Sequence, residues 1–222
     1  MRPYYERGGI QIFLGDCRDV LPTLAAEDIG LVLADPPYGM RNNCDYTRFT
    51  MGPNGHGAAS SRRHAPVIGD DQPFDPSPWL SYPRVILWGW NHFAARLPVG
   101  TTLIWLKRLD GGFGSFLSDG EVAWMKGGHG VYAHRDTSLY GQTRQRRHPT
   151  EKPIGLMRWC IDKAKSVGTI LDPYMGSGPV LMAAQQLGRR AIGIEIEERY
   201  CEIAAKRLSQ DVLPLFGEGA AS

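Results

Sequence analysis

Thr169-Ile170-Leu171-Asp172-Pro173-Tyr174-Met175-Gly176-Ser177-Gly178-Pro179 decides the fold. A short β-prone run ends on a carboxylate, two glycines then permit a tight turn in which backbone can approach a ligand closely, and Pro179 stands where a helix needs no N–H. Val180, Ala183, Ala184 and Leu187 follow at helical spacing, so the segment reads as strand, loop and helix, with the positive end of the helix facing whatever the loop holds. A further strand over Ala191 to Ile194 ends at Glu195, at about the interval where nucleotide-binding folds set an acid against ribose hydroxyls. A dinucleotide site of the dehydrogenase kind is the natural rival. Its third glycine would fall at Leu181, and Pro179 removes a donor that pyrophosphate needs, so the loop suits an adenosine ligand without phosphates, such as S-adenosylmethionine.

Outward from this unit the pattern repeats. Short runs at Ile10 to Leu14, Ile29 to Ala34, Arg84 to Gly89, Thr102 to Leu106 and Glu121 to Met125 bring the expected strands to seven. Helical spacing recurs at Ile154, Met157, Ile161 and Ala164, behind Pro153, and at Cys201, Ala204, Ala205 and Leu208. Alternating strands and helices predict an α/β chain with a mostly parallel sheet, and 222 residues suit a single domain over 1–222. The chain is 42% hydrophobic, but its longest apolar runs fall far short of the roughly 20 residues that span a bilayer; a cytoplasmic protein with no membrane partner is expected. Four cysteines form no Cys-x-x-Cys pair, which signals neither a disulfide framework nor a structural zinc site, and no metal is expected.

A second strand also ends on an acid. Ile29 to Ala34 delivers Asp35-Pro36-Pro37-Tyr38-Gly39, in which the prolines hold the backbone extended and donate no hydrogen bond. The segment therefore presents acceptors, the Asp35 carboxylate and peptide carbonyls, beside the Tyr38 ring. Such a site suits an amino group with two hydrogens on a flat, stackable ring. A bare Asp-Pro-Pro is more often a strand-ending turn; the strand before it and Tyr38 after it favour the functional reading. In a doubly wound sheet ligands bind beyond the carboxyl ends of the strands, where the strand order reverses. If the strands ending at Asp35 and Asp172 flank that point, the two acids face one crevice.

Together, Asp35 to Tyr38, Asp172 to Gly178 and His148-Pro149-Thr150-Glu151-Lys152-Pro153 resemble the amino-group DNA methyltransferases. The tetrapeptide precedes the cofactor loop, which is the circularly permuted motif order of that family's beta class, and the resemblance runs from Leu14-Gly15-Asp16 to about Leu208. It implies a Rossmann-like S-adenosylmethionine-dependent methyltransferase fold, a seven-stranded mostly parallel sheet with one antiparallel strand. It further implies S-adenosylmethionine as cofactor and duplex DNA with a flipped target base as partner. By the same resemblance Asp172, Tyr174, Gly176, Ser177 and Gly178 surround the methionine part, Glu195 holds the ribose, and Asp16 with Cys17 lies near the adenine. His148, Thr150 and Lys152 meet the methionine carboxylate. Asp35, Pro36, Pro37 and Tyr38 carry catalysis on adenine N6; cytosine N4 is the alternative, and an acid rather than a serine before the two prolines favours adenine. Tyr174 departs from the Phe common in the family. A short region for target recognition allows a homodimer as the working form. Cytosine C5 chemistry needs a thiolate, usually introduced by proline, and none of the four cysteines follows one.

Net charge is only +2, yet the basic residues are segregated. Arg41 to Pro66 holds four arginines against Asp45; Lys126 to Lys152 holds six basic residues against Asp136 and Glu151. Both stretches largely coincide with segments of little regular pattern, Met40 to Trp79 and Gly127 to Thr150, and 40–79 and 108–150 are expected as DNA-contacting loops. Arg41, Arg48, Arg62, Arg63, Arg144, Arg146 and Arg147 are the candidate phosphate contacts, with Tyr46 and Phe49 beside them. Cys44, His56 and His64 match no metal spacing and read as solvated. His129 and His134 divide evenly between phosphate contact and simple exposure, Trp88, Trp90 and Trp105 read as core or strand-end packing, and Arg189 with Arg190 as a solvated turn. A regulator that keeps the fold without turnover is the rival from outside the enzymes; intact Asp35, Tyr38 and loop glycines argue against it.

Overall fold

A computed structural model describes residues 1–24, 28–40, 68–114, 118–139 and 151–210. Its strands are β1 (Tyr5–Arg7), β2 (Ile10–Leu14), β3 (Ile29–Ala34), β4 (Val85–Trp88), β5 (Gly100–Leu106), β6 (Gly120–Arg135), β7 (Thr169–Asp172) and β8 (Ala191–Glu195). They form one sheet in the order β1-β2-β8-β7-β3-β4-β6-β5. The helices are α1 (Cys17–Val20), α2 (Ile154–Ala164), α3 (Pro179–Gln186) and α4 (Glu198–Ser209).

The central strands are apolar along their length because both faces are covered, as in parallel sheets generally. All four residues of β4 and of β7 are buried. Alternation then divides the core: Ile10, Leu31, Leu33, Ile86 and Trp88 pack with Leu156, Leu181 and Cys201 of the three long helices. Phe13, Val32, Val85 and Leu87 meet Val20, Trp79 and Phe93 on the opposite face. Each such side chain, fully buried, contributes about 1.5–3 kcal/mol.

All seven expected strands are present, and α2, α3 and α4 lie where the helical spacing predicts. Pro153 caps α2 and Pro179 opens α3. An eighth strand was not expected. β1 pairs antiparallel with β2, Tyr5 opposite Ile12, through a turn at Gly8 and Gly9 with φ of 57° and 81°. Within 108–150, residues 120–135 also form a strand rather than a loop. The first half of β6 runs antiparallel between β4 and β5, with Met125 opposite both Ile86 and Thr101. The chain then turns through Gly127 and Gly128, φ 85° and 68°, and Val131 to Arg135 run parallel to Thr102 to Leu106 along the far edge of β5. Antiparallel pairing therefore occurs at β1 as well as at the one strand expected. Among the described residues no helix is long and apolar enough to cross a membrane.

From β7 the chain passes through α3 to β8 on one side; from β3 it continues to β4 on the other. β3 and β7 are parallel neighbours, Val32 opposite Leu171, so their carboxyl ends lie side by side where the order reverses.

Candidate active site

A cleft of about 780 Å³ opens at these carboxyl ends, and both Asp35 and Asp172 line it. That volume suits a nucleoside-sized ligand with room for a second group.

The β7–β8 side is made mainly of backbone donors and carboxyls. Asp172 is buried and accepts the Tyr174 N–H at 3.2 Å. Burial pushes its carboxyl well above the usual range; Asp35 and Glu195 push the same way, against the Tyr174 amide and Lys152. Glu195 accepts the N–H of Gly176 at Oε2 and of Glu197 at Oε1, each at 2.9 Å. Burial raises this carboxyl too, and the two amides offset it only in part. The loop sits close on β8: a Cβ on Gly193 would stand 2.5 Å from Met175 Sδ. Arg207 of α4 donates to the Ser177 carbonyl at 2.6 Å and to its Oγ at 3.2 Å, and pairs with Glu151 at 3.1 Å. Tyr174 meets Phe74 and Trp79 edge to face, at 6.0 and 5.9 Å, and the three form an aromatic wall of the cleft. Asp16 caps α1 through the Arg18 N–H at 2.8 Å, and hydrogen bonds from the Arg18 side chain hold its carboxyl below the ordinary range.

The β3–β4–β6 side is made of paired charges. The Tyr38 hydroxyl donates to Asp35 Oδ1, and the Lys152 ammonium contacts Oδ2. Lys152, 4% exposed, also reaches Glu121 Oε2 at 3.0 Å and lies 5.7 Å from the centre of a Trp88 ring. Glu121 Oε1 in turn meets Lys107 at 2.5 Å. Burial alone would lower the Lys152 pKa, but Asp35 and Glu121 outweigh it and hold the ammonium protonated. Burial likewise works against an ionised Glu121, yet Lys152 and Lys107 bring its pKa down to about 2. Burial and the Asp35 charge push the Tyr38 phenol well up, so it remains a donor. Tyr38 lies over Gly89, φ 70°, where a Cβ would come 2.0 Å from the ring, and stacks on His92 at 4.8 Å and 18°. Asp70 accepts the N–H of Gly39 at 2.9 Å and of Met40 at 3.1 Å, fixing the chain as it leaves Tyr38.

Asp16, Cys17, Asp35, Pro36, Pro37, Tyr38, Lys152, Asp172, Tyr174, Gly176, Ser177 and Glu195 thus share one cleft. Gly178 is not on its lining; a Cβ there would meet Ala204 at 3.0 Å, so its bareness serves the packing of α3 on α4. Lys152 stands between two carboxylates rather than free for a ligand carboxylate. Two residues counted in the basic stretch are used internally: Lys126 donates to the carbonyls of Leu80 and Tyr82 at 2.8 Å each, and Arg135 pairs with Asp110. His134 stacks on Trp159 at 5.1 Å. Trp88 and Trp105 are buried, and Arg189 donates to Gly168 at 2.9 Å. His148, Thr150, Arg41, Arg48, Arg62, Arg63, Arg144, Arg146 and Arg147 lie outside the described residues. Sequence reasoning missed Glu121, Lys107, Asp70, Gly89, His92 and Arg207. Glu121 left one signal, an acid opening an otherwise apolar strand.

The model of the DNA methylase family matches residues 104–206. A type II methyltransferase of Streptococcus pneumoniae, M2.DpnII, is 46% identical over 66 residues, 29% of this chain and 25% of its own length. The putative methylase YubD of Escherichia coli is 45% identical over 65 residues, 29% of each chain. The matched stretch thus spans about a quarter of the length of these relatives. Two solved structures share the fold at low identity. M1.HpyAVI in complex with S-adenosylmethionine superposes with a TM-score of 0.56 and 18% identity, covering 89% of this chain and 99% of that one. The cytosine-N4-specific PvuII DNA methyltransferase superposes at 0.60 and 14%, covering 96% and 90%. Residues 104–206, a little under half of the chain, are thus similar to the DNA methylase family, and the relatives matched are a type II methyltransferase and a putative methylase.

Proposed function

We propose that this protein transfers a methyl group from S-adenosylmethionine to the N6 amino group of adenine in duplex DNA. The observation that carries the reading is the shared cleft: a carboxylate held between a phenol and an ammonium on one side, and carboxyls raised by burial on the other. When bound, S-adenosylmethionine supplies a methyl group on a positively charged sulfur. Asp172 and Glu195 suit a cationic ligand, the Gly176 turn lets backbone come close, and Phe74, Trp79 and Tyr174 offer a flat apolar wall to an adenine ring.

The lone pair of an aromatic amine is delocalised into its ring, so the amine is a weak nucleophile. Hydrogen bonds from the amine to Asp35 and a Pro36 carbonyl favour the pyramidal nitrogen as positive charge develops. Tyr38, backed by His92, provides the surface on which an extruded base stacks in place of its lost duplex neighbours. Arg144, Arg146 and Arg147, with Arg41, Arg48, Arg62 and Arg63, are the proposed phosphate contacts.

The test is to incubate unmethylated genomic DNA with purified protein and methyl-labelled S-adenosylmethionine in the presence of chelator, digest to nucleosides and identify the labelled species by mass spectrometry. N6-methyladenine is the expected product. Label in N4-methylcytosine alone would replace the target, and no label in any DNA or RNA nucleoside would favour a non-catalytic binder.

A further inference from the structure

The motifs that carry the proposed chemistry do not include β6, yet its first inward carboxylate touches them. Glu121 is 32% exposed and joins Lys152 on one oxygen and Lys107 on the other. Lys152 continues the chain to Asp35. Two ammonium and two carboxylate groups therefore alternate from the cleft toward the surface, where Lys107 is 27% exposed and lies 5.3 Å from a Trp105 ring.

We propose that Glu121 is a positioning residue for the reaction, acting on Asp35 through Lys152; this rests on the methyl-transfer reading above. A buried ammonium with Asp35 as its single counter-ion would draw on that carboxylate fully and weaken it as an acceptor for a target amine. Glu121 divides the hold of Lys152 between two carboxylates. Its contact at 3.0 Å, together with the Trp88 ring beneath, also fixes the direction from which the ammonium approaches Asp35. Each Asp35 oxygen then keeps lone-pair capacity for a further donor in the cleft that it lines. Lys107 completes the device by balancing Glu121, so that the four groups together carry no net charge.

Glu121→Gln keeps the side chain's shape and a hydrogen-bond acceptor while removing its charge. In the full chain it should lower kcat by about 10- to 100-fold, the scale on which a displaced catalytic group loses rate. Dissociation constants for S-adenosylmethionine and DNA should stay within about twofold. Glu121→Asp, which restores the charge on a shorter arm, should recover part of the loss. In a Lys152→Gln background, Glu121→Gln should have little further effect on kcat, because the path through Lys152 is already cut. A purely structural role would instead lower the melting temperature and weaken cofactor binding together. Wild-type kcat in Glu121→Gln, or an undiminished effect in the Lys152→Gln background, overturns the proposal. The wild-type chain is assayed in parallel: no transfer by it sinks the methyl-transfer reading itself. The contact is read apart from activity in 15N-lysine spectra, where the Lys152 ammonium resonance should move in Glu121→Gln, and an unmoved resonance refutes the link to Glu121.

Discussion

Around Asp35 each charge has an opposite in direct contact: Lys152 lies between Asp35 and Glu121, and Glu121 between Lys152 and Lys107. Around Asp172 and Glu195, in the same cleft, the hydrogen bonds come from the backbone amides of Tyr174, Gly176 and Glu197. The chemistry follows that division. A side already neutral is suited to a neutral target such as an aromatic amine, because no ion need be stripped of its partner when the target enters. On the proposed reading, carboxyls whose ionised forms burial disfavours would gain from a cationic ligand. On that reading, one cleft would tell a cationic donor from a neutral acceptor without a wall between them.

The sharpest way to break this comparison is to remove the charge at the centre of the paired side. Asp35→Ala should lower the rate of methyl transfer by at least about 10²- to 10³-fold, as for loss of a principal polar contact to the reacting group. Cofactor affinity should stay within a few fold, because Asp35 is assigned to the target. Single-turnover assays and calorimetry on the same preparation separate the two. Comparable losses in both would mean that the cleft is not divided in this way.

Backbone fit gives a second, smaller handle on the same division. A methyl group at Gly89 would overlap the Tyr38 ring at 2.0 Å and sit at φ 70°; one at Gly193 would press on Met175 at 2.5 Å and Leu181 at 2.8 Å. Gly89→Ala should therefore reduce turnover with near-normal cofactor affinity, and Gly193→Ala the reverse, each with a stability loss of about 1–3 kcal/mol. Paired thermal melts, cofactor titrations and turnover assays check the crossover; the same phenotype from both would erase it.

What was legible in the sequence follows the same physics. Runs such as Leu31-Val32-Leu33-Ala34 and Val85-Ile86-Leu87-Trp88 are local signals, because a strand covered on both faces must be apolar throughout. Asp35 and Asp172 were legible for a related reason: an acid that closes such a run stands at the carboxyl end of its strand, where ligands bind in such sheets, even though Asp172 itself is buried. β1 was hidden by its three-residue length, although Gly8-Gly9 carries a hairpin signal. The return of β6 along β5 was hidden by three glycines and by exposed Val131 and Tyr132, which leave no alternation to read. The Lys152–Glu121 contact joins β6 to the segment that leads into α2, and no spacing in the chain encodes it. The same gap explains why Lys126 reads as a surface cation in the sequence while its ammonium holds the Leu80 and Tyr82 carbonyls.

Glu195 tests the backbone-built side alone. Its carboxylate orders the turn through Gly176 and the start of α4 through Glu197, at 2.9 Å each. Glu195→Ala should weaken S-adenosylmethionine binding by about 1.5–3 kcal/mol, the range for hydrogen bonds to a charged group. With cofactor saturating, turnover should change little. Unchanged affinity in calorimetry would remove Glu195 from the cofactor site.

The gentlest perturbation is pH, and its sign separates the two sides. Asp172 and Glu195 have pKa values raised by burial, so the folded, ligand-free protein binds their protons more tightly than the unfolded chain does. Their contribution to stability is present below the ordinary carboxylate range and is lost as pH rises through the raised values. Glu121 behaves oppositely: its pKa is depressed to about 2, so its contribution is present above the unfolded value and is lost as pH falls toward 2. A cationic cofactor requires the ionised forms of Asp172 and Glu195. Its affinity should therefore rise with pH above the ordinary carboxylate range, by at most about tenfold per pH unit for each proton released on binding. The measurement is the increase in melting temperature produced by a fixed concentration of S-adenosylmethionine at a series of pH values from 5 to 8, for the parent and for Asp172→Asn. The increment should grow with pH in the parent and grow less in the variant, whose amide cannot ionise. A flat increment in the parent would show that Asp172 and Glu195 are already ionised without ligand, and the electrostatic contrast between the two sides would then have to be abandoned.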